Sequence, residues 1–126
     1  GVDFVLTNFA RMYGGEIFVP KIPSIKITDL ASAIAPDLPQ KEIGIRPGEK
    51  LHEVMCPVDD SYHTFEYHDH FVIAPTINFS SRSNDFTRNA IGEVGSPVEH
   101  GFEYNSQNNP HFMSVDEIKA FNLEAQ

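Results

Sequence analysis

Apolar and polar positions along this chain follow two periods, and the change of period marks its elements. Val2, Val5, Leu6, Phe9 and Tyr13 recur at helical spacing. They predict an opening amphipathic helix, with Asp3, Thr7, Asn8 and Arg11 off the stripe and Gly14-Gly15 as its stop. Phe4 and Met12 lie outside that stripe and would need a second partner surface. Glu16 to Val19 reads as a short buried strand ending at Pro20. Thr28 is read as an N-cap, with Asp29 in the first turn, for a helix through Ala35 that Pro36 and Pro39 stop. Gln40 to Ile45 alternates and predicts a second strand, running into a Pro-Gly turn at Pro47-Gly48.

Beyond that turn, Leu51 to Met55 fits a strand or a single helical turn. Thr64 to Tyr67 and Phe71 to Ala74 predict a hairpin turning at His68-Asp69-His70. Phe79 to Gly95 is polar and irregular, with Ala90-Ile91 its main apolar contribution. Ser114 and Glu117 form a capping box, flanked by Met113 and Ile118 at staple positions, for a helix from Val115 to about Phe121. The order of helix, strand, helix, strand and loop is an α/β pattern.

Within 126 residues, 40% hydrophobic and 21% charged, this describes one ordinary globular domain, residues 1–126. A net charge of −9 argues against nucleic acid as a partner. No apolar run approaches a membrane span, and no signal peptide opens the chain. Cys56 is the single cysteine, so no internal disulfide forms, which suits a reducing cytoplasm. Without a cation beside it in sequence, Cys56 reads as a buried, inert thiol. The chain lacks an initiator Met and enters a helical pattern at once. That is expected where the natural start lies upstream, and a processed chain would begin the same way.

Candidate chemistry centres on Arg46-Pro47-Gly48-Glu49-Lys50. A guanidinium offers a planar fork of donors to phosphate oxygens, and a carboxylate three positions later accepts from sugar hydroxyls. Lys50 offers a second cation. On residues alone, an Arg before Pro-Gly also anchors a turn by pairing locally. His68 and His70, with His63 nearby, suggest a two-His metal clip but lack a third ligand, so no metal is assigned. Asn105 to Pro110 reads as a turn rather than a sugar-binding loop.

The run from Gly15-Glu16-Ile17-Phe18-Val19-Pro20-Lys21-Ile22-Pro23 through Leu30 resembles the C-terminal part of the inverting UDP-N-acetylglucosamine 4,6-dehydratases. So do Ile43-Gly44-Ile45-Arg46-Pro47-Gly48-Glu49-Lys50-Leu51-His52-Glu53-Val54-Met55 and Gly101 to Ser106 with Asn108-Asn109-Pro110. That family belongs to the extended short-chain dehydrogenase/reductase superfamily and opens pathways to surface sugars such as pseudaminic acid. The resemblance implies the substrate-binding end of a Rossmann-like fold, short strands with small helices and a hairpin. It implies a UDP-sugar substrate, with Arg46 on the diphosphate, Glu49 on the ribose hydroxyls and Lys50 assisting. It also implies NADP held by a dinucleotide-binding domain, a homo-oligomeric parent and a cytoplasmic location.

The family's catalytic parts have no counterpart here. No G-x-G-x-x-G occurs, and Tyr13, Tyr62, Tyr67 and Tyr104 are followed four positions on by Ile17, Glu66, Phe71 and Asn108, not Lys. No catalytic or cofactor-binding residue is therefore assigned, and the chain alone is expected to be inactive. Two rivals stand beside this reading: another sugar-nucleotide epimerase or dehydratase, and a small stand-alone binding module.

Overall fold

The computed structural model describes residues 1–77 and 84–124. It is a mixed α/β chain with small antiparallel sheets and short helices, whose internal contacts gather into two compact units. One comprises Gly1–Lys21 and Val54–Asn105, the other Ile22–Glu53 and 106–126.

In the first unit, α1 (Val2–Arg11) precedes β1 (Ile17–Pro20), which pairs antiparallel with β4 (His70–Ile73). β3 (Thr64–Glu66) lies on the other side of β4, and the two-residue β5 (Ser96–Pro97) completes the sheet in the order β1-β4-β3-β5. The hairpin expected from the period-2 pattern is thus present, with His70 inside the strand rather than in the turn. A 3-10 helix, Val58–His63, leads into β3. β2 (Val54–Cys56) pairs with β6 (Tyr104–Asn105), which settles the ambiguous Leu51 to Met55 segment as a strand two residues long there plus Cys56.

Val19, Cys56, Phe71, Ile73 and Tyr104 form the core, with Val98 and Phe102 packed against it. Phe71 is its centre: its ring lies 5.1 Å from that of Phe102 and 5.0 Å from that of Tyr104, with Lys21 Nζ 5.0 Å above it.

The second unit holds α2 (Ile27–Ile34) and α3 (Val115–Glu124), which pack together. Ser24 bridges in parallel to Phe112, and Asn109 ties the same strip down by donating to Ile22 O and Ser24 Oγ at 2.7 and 3.0 Å. Asn109 is buried, and a turn at 106–108 precedes it, as the composition of that loop predicts. The capping box on α3 forms: Ser114 N–H donates to Glu117 Oε2 at 2.7 Å, and Glu117 N–H reaches back to Ser114 Oγ at 3.4 Å. Ile118, at 1% exposure, anchors the helix in this unit.

Three expectations need correction. Gln40 to Ile45 forms no strand; residues 40–46 are all exposed, and Gly44 sits at φ +78°, which breaks an extended run that has no neighbour to accept its hydrogen bonds. Thr28 is not the cap of α2: the helix starts two residues earlier than such a cap would place it, Lys26 stands at the cap position, and the Thr28 carbonyl instead accepts from Gln40 Nε2 at 3.1 Å. In the Phe79 to Gly95 segment, residues 78–83 lie outside the described residues; in the rest Ile91 is exposed, and Asn89 and Gly95 are the buried residues.

The stripe of α1, whose direction the sequence left open, is turned away from the unit. Val2, Val5, Leu6 and Phe9 are exposed, whereas Asn8 and Arg11 are buried.

Candidate functional site

Arg46, Pro47, Gly48 and Glu49 form a β-turn closed by Glu49 N–H donating to Arg46 O at 3.0 Å. Proline fixes the second position, and Gly48 at φ +83° supplies the left-handed conformation that the third position of a type II turn requires. The turn brings Arg46 and Glu49 onto one another. Glu49 Oε1 accepts from Arg46 Nε at 3.1 Å and Nη2 at 2.7 Å, and Oε2 accepts from the Arg46 backbone N–H at 2.8 Å.

The local pairing foreseen for an Arg before Pro-Gly is therefore present. Its electrostatic consequence falls on the acid. Hydrogen bonds from the Arg46 side chain, then from its backbone N–H, hold the Glu49 carboxyl below its ordinary range.

Two of the sequence-selected residues meet in this turn, Lys50 follows it, and none of the three is buried. The Arg46 side chain is 79% exposed and Lys50 is exposed. Glu49 occupies only the Nε–Nη2 edge of the guanidinium; Nη1 has no hydrogen-bond partner among the described residues. An anion could thus be met by the outer edge while Glu49 holds the fork in place. The turn stands on open surface: the apolar groove between α2 and the chain that follows it is lined by Ile27, Ala31, Ile34, Leu38 and Pro39, without Arg46, Glu49 or Lys50.

The histidines do not converge. His68 is exposed and His70 fully buried, with Nδ1 2.7 Å from Asp69 Oδ1. Among the described residues no group of three or more His, Cys, Asp or Glu side chains could hold a metal ion. Cys56 is buried, and burial, with a smaller contribution from Asp60, pushes its thiol up to about 11, so it is not a thiolate near neutrality.

A polar cluster not foreseen from the sequence surrounds Arg11. Its Nη2 donates to Asp69 Oδ2 at 3.1 Å, its Nε to Glu93 Oε2 at 2.8 Å, and its Nη1 to Asn8 Oδ1 at 3.2 Å. Asn89 Nδ2 donates to Glu93 Oε2 at 2.6 Å, and Ala90 N–H donates to the Arg11 carbonyl at 3.0 Å. The available signal is the spacing of Phe4, Asn8 and Arg11, which share one helical face.

Among the described residues no helix is long and apolar enough to cross a membrane.

Known proteins bear on this geometry. Two Campylobacter jejuni proteins named UDP-N-acetylglucosamine 4,6-dehydratase (inverting) are 58% and 55% identical to this chain over 118 residues. Each match takes in 94% of this chain and 35% of the other, so the chain spans about a third of the length of these relatives. An uncharacterized membrane protein of Methanocaldococcus jannaschii is 39% identical over 85 residues, 59% of this chain and 26% of that one. The X-ray structure of Pen from Bacillus thuringiensis superposes with a TM-score of 0.71 at 25% identity, covering 96% of this chain and 35% of that one.

The family model described as polysaccharide biosynthesis protein matches residues 1–75. This stretch contains α1, β1, α2, the Arg46 turn and the β3–β4 hairpin. The chain belongs to the polysaccharide biosynthesis protein family.

Proposed function

We propose that this chain is the substrate-side part of a UDP-N-acetylglucosamine 4,6-dehydratase that inverts at C5, and that the Arg46–Glu49 turn meets the UDP moiety. The observation that carries the proposal is the free outer edge of an exposed guanidinium whose inner edge is fixed by Glu49. The fixed fork offers donors to the diphosphate with little side-chain freedom left to lose. Glu49 orients Arg46 through one side of its carboxylate and accepts from ribose hydroxyls with its remaining lone pairs. Lys50, next in sequence, adds positive charge near the phosphates. The identity to the two C. jejuni proteins supports the activity of the longer polypeptide.

The cofactor of the longer enzyme, in this reading NADP, meets no glycine-rich helix opening among the described residues. Pyrophosphate needs a glycine-rich turn opening a helix. Instead, Gly1 precedes α1, Lys26 is the cap of α2 and Ser114 opens α3. In this reading the hydride chemistry belongs to the rest of the longer polypeptide, and this chain binds, orients and closes over the sugar nucleotide. In the same reading the parent is a cytoplasmic homo-oligomer that supplies surface glycans such as pseudaminic acid.

The test replaces the matching segment of the C. jejuni enzyme by this chain and follows 4-keto product from UDP-N-acetylglucosamine. Arg46→Ala should raise KM about ten- to a hundred-fold, which is roughly 1.4 to 2.7 kcal/mol of binding. An unchanged KM in an active hybrid refutes the diphosphate role. A hybrid that makes an epimer and no 4-keto sugar refutes the dehydratase reading.

A further inference from the structure

The stretch that carries the Arg46 turn is long and has no regular structure of its own. From Ala35 to Glu53 no helix or strand forms, and residues 36–55 are all exposed. Among the described residues, residues 41–52 make no hydrogen bond beyond those between Arg46 and Glu49. Ordered stretches of this length are uncommon in compact chains, and binding loops and lids are their usual setting.

Two stakes hold it. At its start the Gln40 side chain turns back on α2: Nε2 donates to Ser32 Oγ at 2.9 Å and to the Thr28 carbonyl at 3.1 Å. Both amide hydrogens are thereby used. Ser32 Oγ donates to the same carbonyl at 3.0 Å, which closes a triangle on one turn of the helix. At the other end Glu53 and Ser106 exchange bonds. Ser106 N–H donates to Glu53 O at 2.9 Å, and Glu53 N–H donates to Ser106 Oγ at 3.0 Å. A strand ladder would use the Ser106 carbonyl for the second bond; here the hydroxyl takes its place.

These bonds do little for the core. Gln40 is exposed and Ser106 half-buried, so neither side chain covers apolar surface of any size. Their effect is to limit where the residues between them can go, and those residues include Arg46, Glu49 and Lys50. Glu49 fixes the guanidinium on its own turn, but the turn also has to be held against the rest of the chain. A binding loop kept near its bound position before the ligand arrives loses less freedom on binding.

We infer that Gln40 and Ser106 are positioning residues for the nucleoside diphosphate: they stake the two ends of a strap, residues 41–52, and so hold the Arg46 fork where it meets phosphate. The inference rests on the reading of that turn as the diphosphate contact.

Gln40→Ala and Ser106→Ala test it, each made in this chain and in the C. jejuni hybrid. In the ¹⁵N-labelled chain, the amide order parameters of Gly44, Gly48 and Glu49 should fall in both variants. In the hybrid, KM for UDP-N-acetylglucosamine should rise about three- to ten-fold while kcat stays within about two-fold, because the stakes act before chemistry. Ser106→Thr keeps the hydroxyl and should restore both readouts. Should the hybrid turn nothing over, the affinity of the chain for UDP itself takes the place of KM.

Unchanged order parameters overturn the inference, and so do lower ones with an unchanged KM. A fall in kcat at constant KM also overturns it. Should Ser106→Ala not fold, Gln40→Ala decides alone, since its side chain lies on the surface. Arg46→Ala in the same hybrid separates the two readings. If it leaves KM unchanged, the diphosphate contact falls and the stakes lose their purpose with it. If it raises KM and the stake variants do not, this inference alone falls.

Discussion

Arg11 Nη2 lies 3.1 Å from Asp69 Oδ2, joining α1 to the β3–β4 turn, and the guanidinium making this contact is only 7% exposed. The two carboxylates that hold it, on Asp69 and Glu93, are half exposed at 48% and 41%. A nearly buried cation thus shares acids that water still reaches, so its removal strands neither of them completely.

Arg11→Met keeps the stem and removes the fork. It should cost about 1 to 3 kcal/mol, below the penalty for breaking a fully buried pair because the acids can hydrate. Arg11→Lys should recover little, since an ammonium cannot serve Asn8, Asp69 and Glu93 from one plane. Urea unfolding monitored by circular dichroism measures both. Equal stability of the Lys variant and the original chain would contradict the fork geometry.

The same cluster sets a pH dependence. Burial lowers the His70 pKa from its ordinary 6.5 more than the Asp69 hydrogen bond raises it. The unfolded chain therefore binds this proton first as pH falls, and stability drops below about pH 6.5. Burial alone would raise the Asp69 carboxyl, but hydrogen bonds from His70 and Arg11 outweigh it and leave the group below its ordinary 3.8. Hydrogen bonding to Arg11 likewise holds Glu93 below 4.5. For these acids the stabilisation is complete above the ordinary carboxylate range and lost as pH falls through it. Both contributions have the same sign, so melting temperature should be flat around neutrality, short of thiol ionisation, and decline in two stages on acidification. His70→Phe, placed among Phe4, Phe18 and Tyr67, should abolish the upper stage and, by removing a hydrogen bond to Asp69, weaken but not abolish the lower one. Persistence of the upper stage in the variant would assign it elsewhere.

Gly95 touches Tyr67 so closely that an added Cβ would lie 2.7 Å from the ring. The ring cannot yield, because its hydroxyl donates to Phe86 O at 2.8 Å and its face stacks on His70 at 4.8 Å. Gly95→Ala should therefore cost about 1 to 3 kcal/mol by overpacking. Calorimetry of that variant checks it, and an unshifted melt would show that the 85–95 segment moves aside freely.

Local patterns were readable wherever one side chain satisfies its own neighbourhood. The Ser114–Glu117 box, the hairpin around Asp69 and the Pro47-Gly48 turn all appear as expected. Patterns failed where a distant residue decides. The stripe of α1 is correctly periodic, yet Asp69 and Glu93, at separations of 58 and 82 positions, turn it outward by capturing Arg11. Gln40 to Ile45 alternates like a strand but has no neighbouring strand among the described residues, and alternation cannot supply one. Of the candidate site, the local Arg46–Glu49 pairing was legible because it spans three positions. The burial of Arg11 was not, because no local rule places a cation beneath a helix.

The most direct measurement is a UDP titration of the ¹⁵N-labelled chain, following the Arg46 Nε resonance and the amides of Gly48 and Glu49. The account predicts saturable shifts confined to the 46–50 turn at millimolar UDP, abolished by Arg46→Ala. Shifts of equal size in that variant, or UDP-dependent shifts that spare the turn, would contradict it.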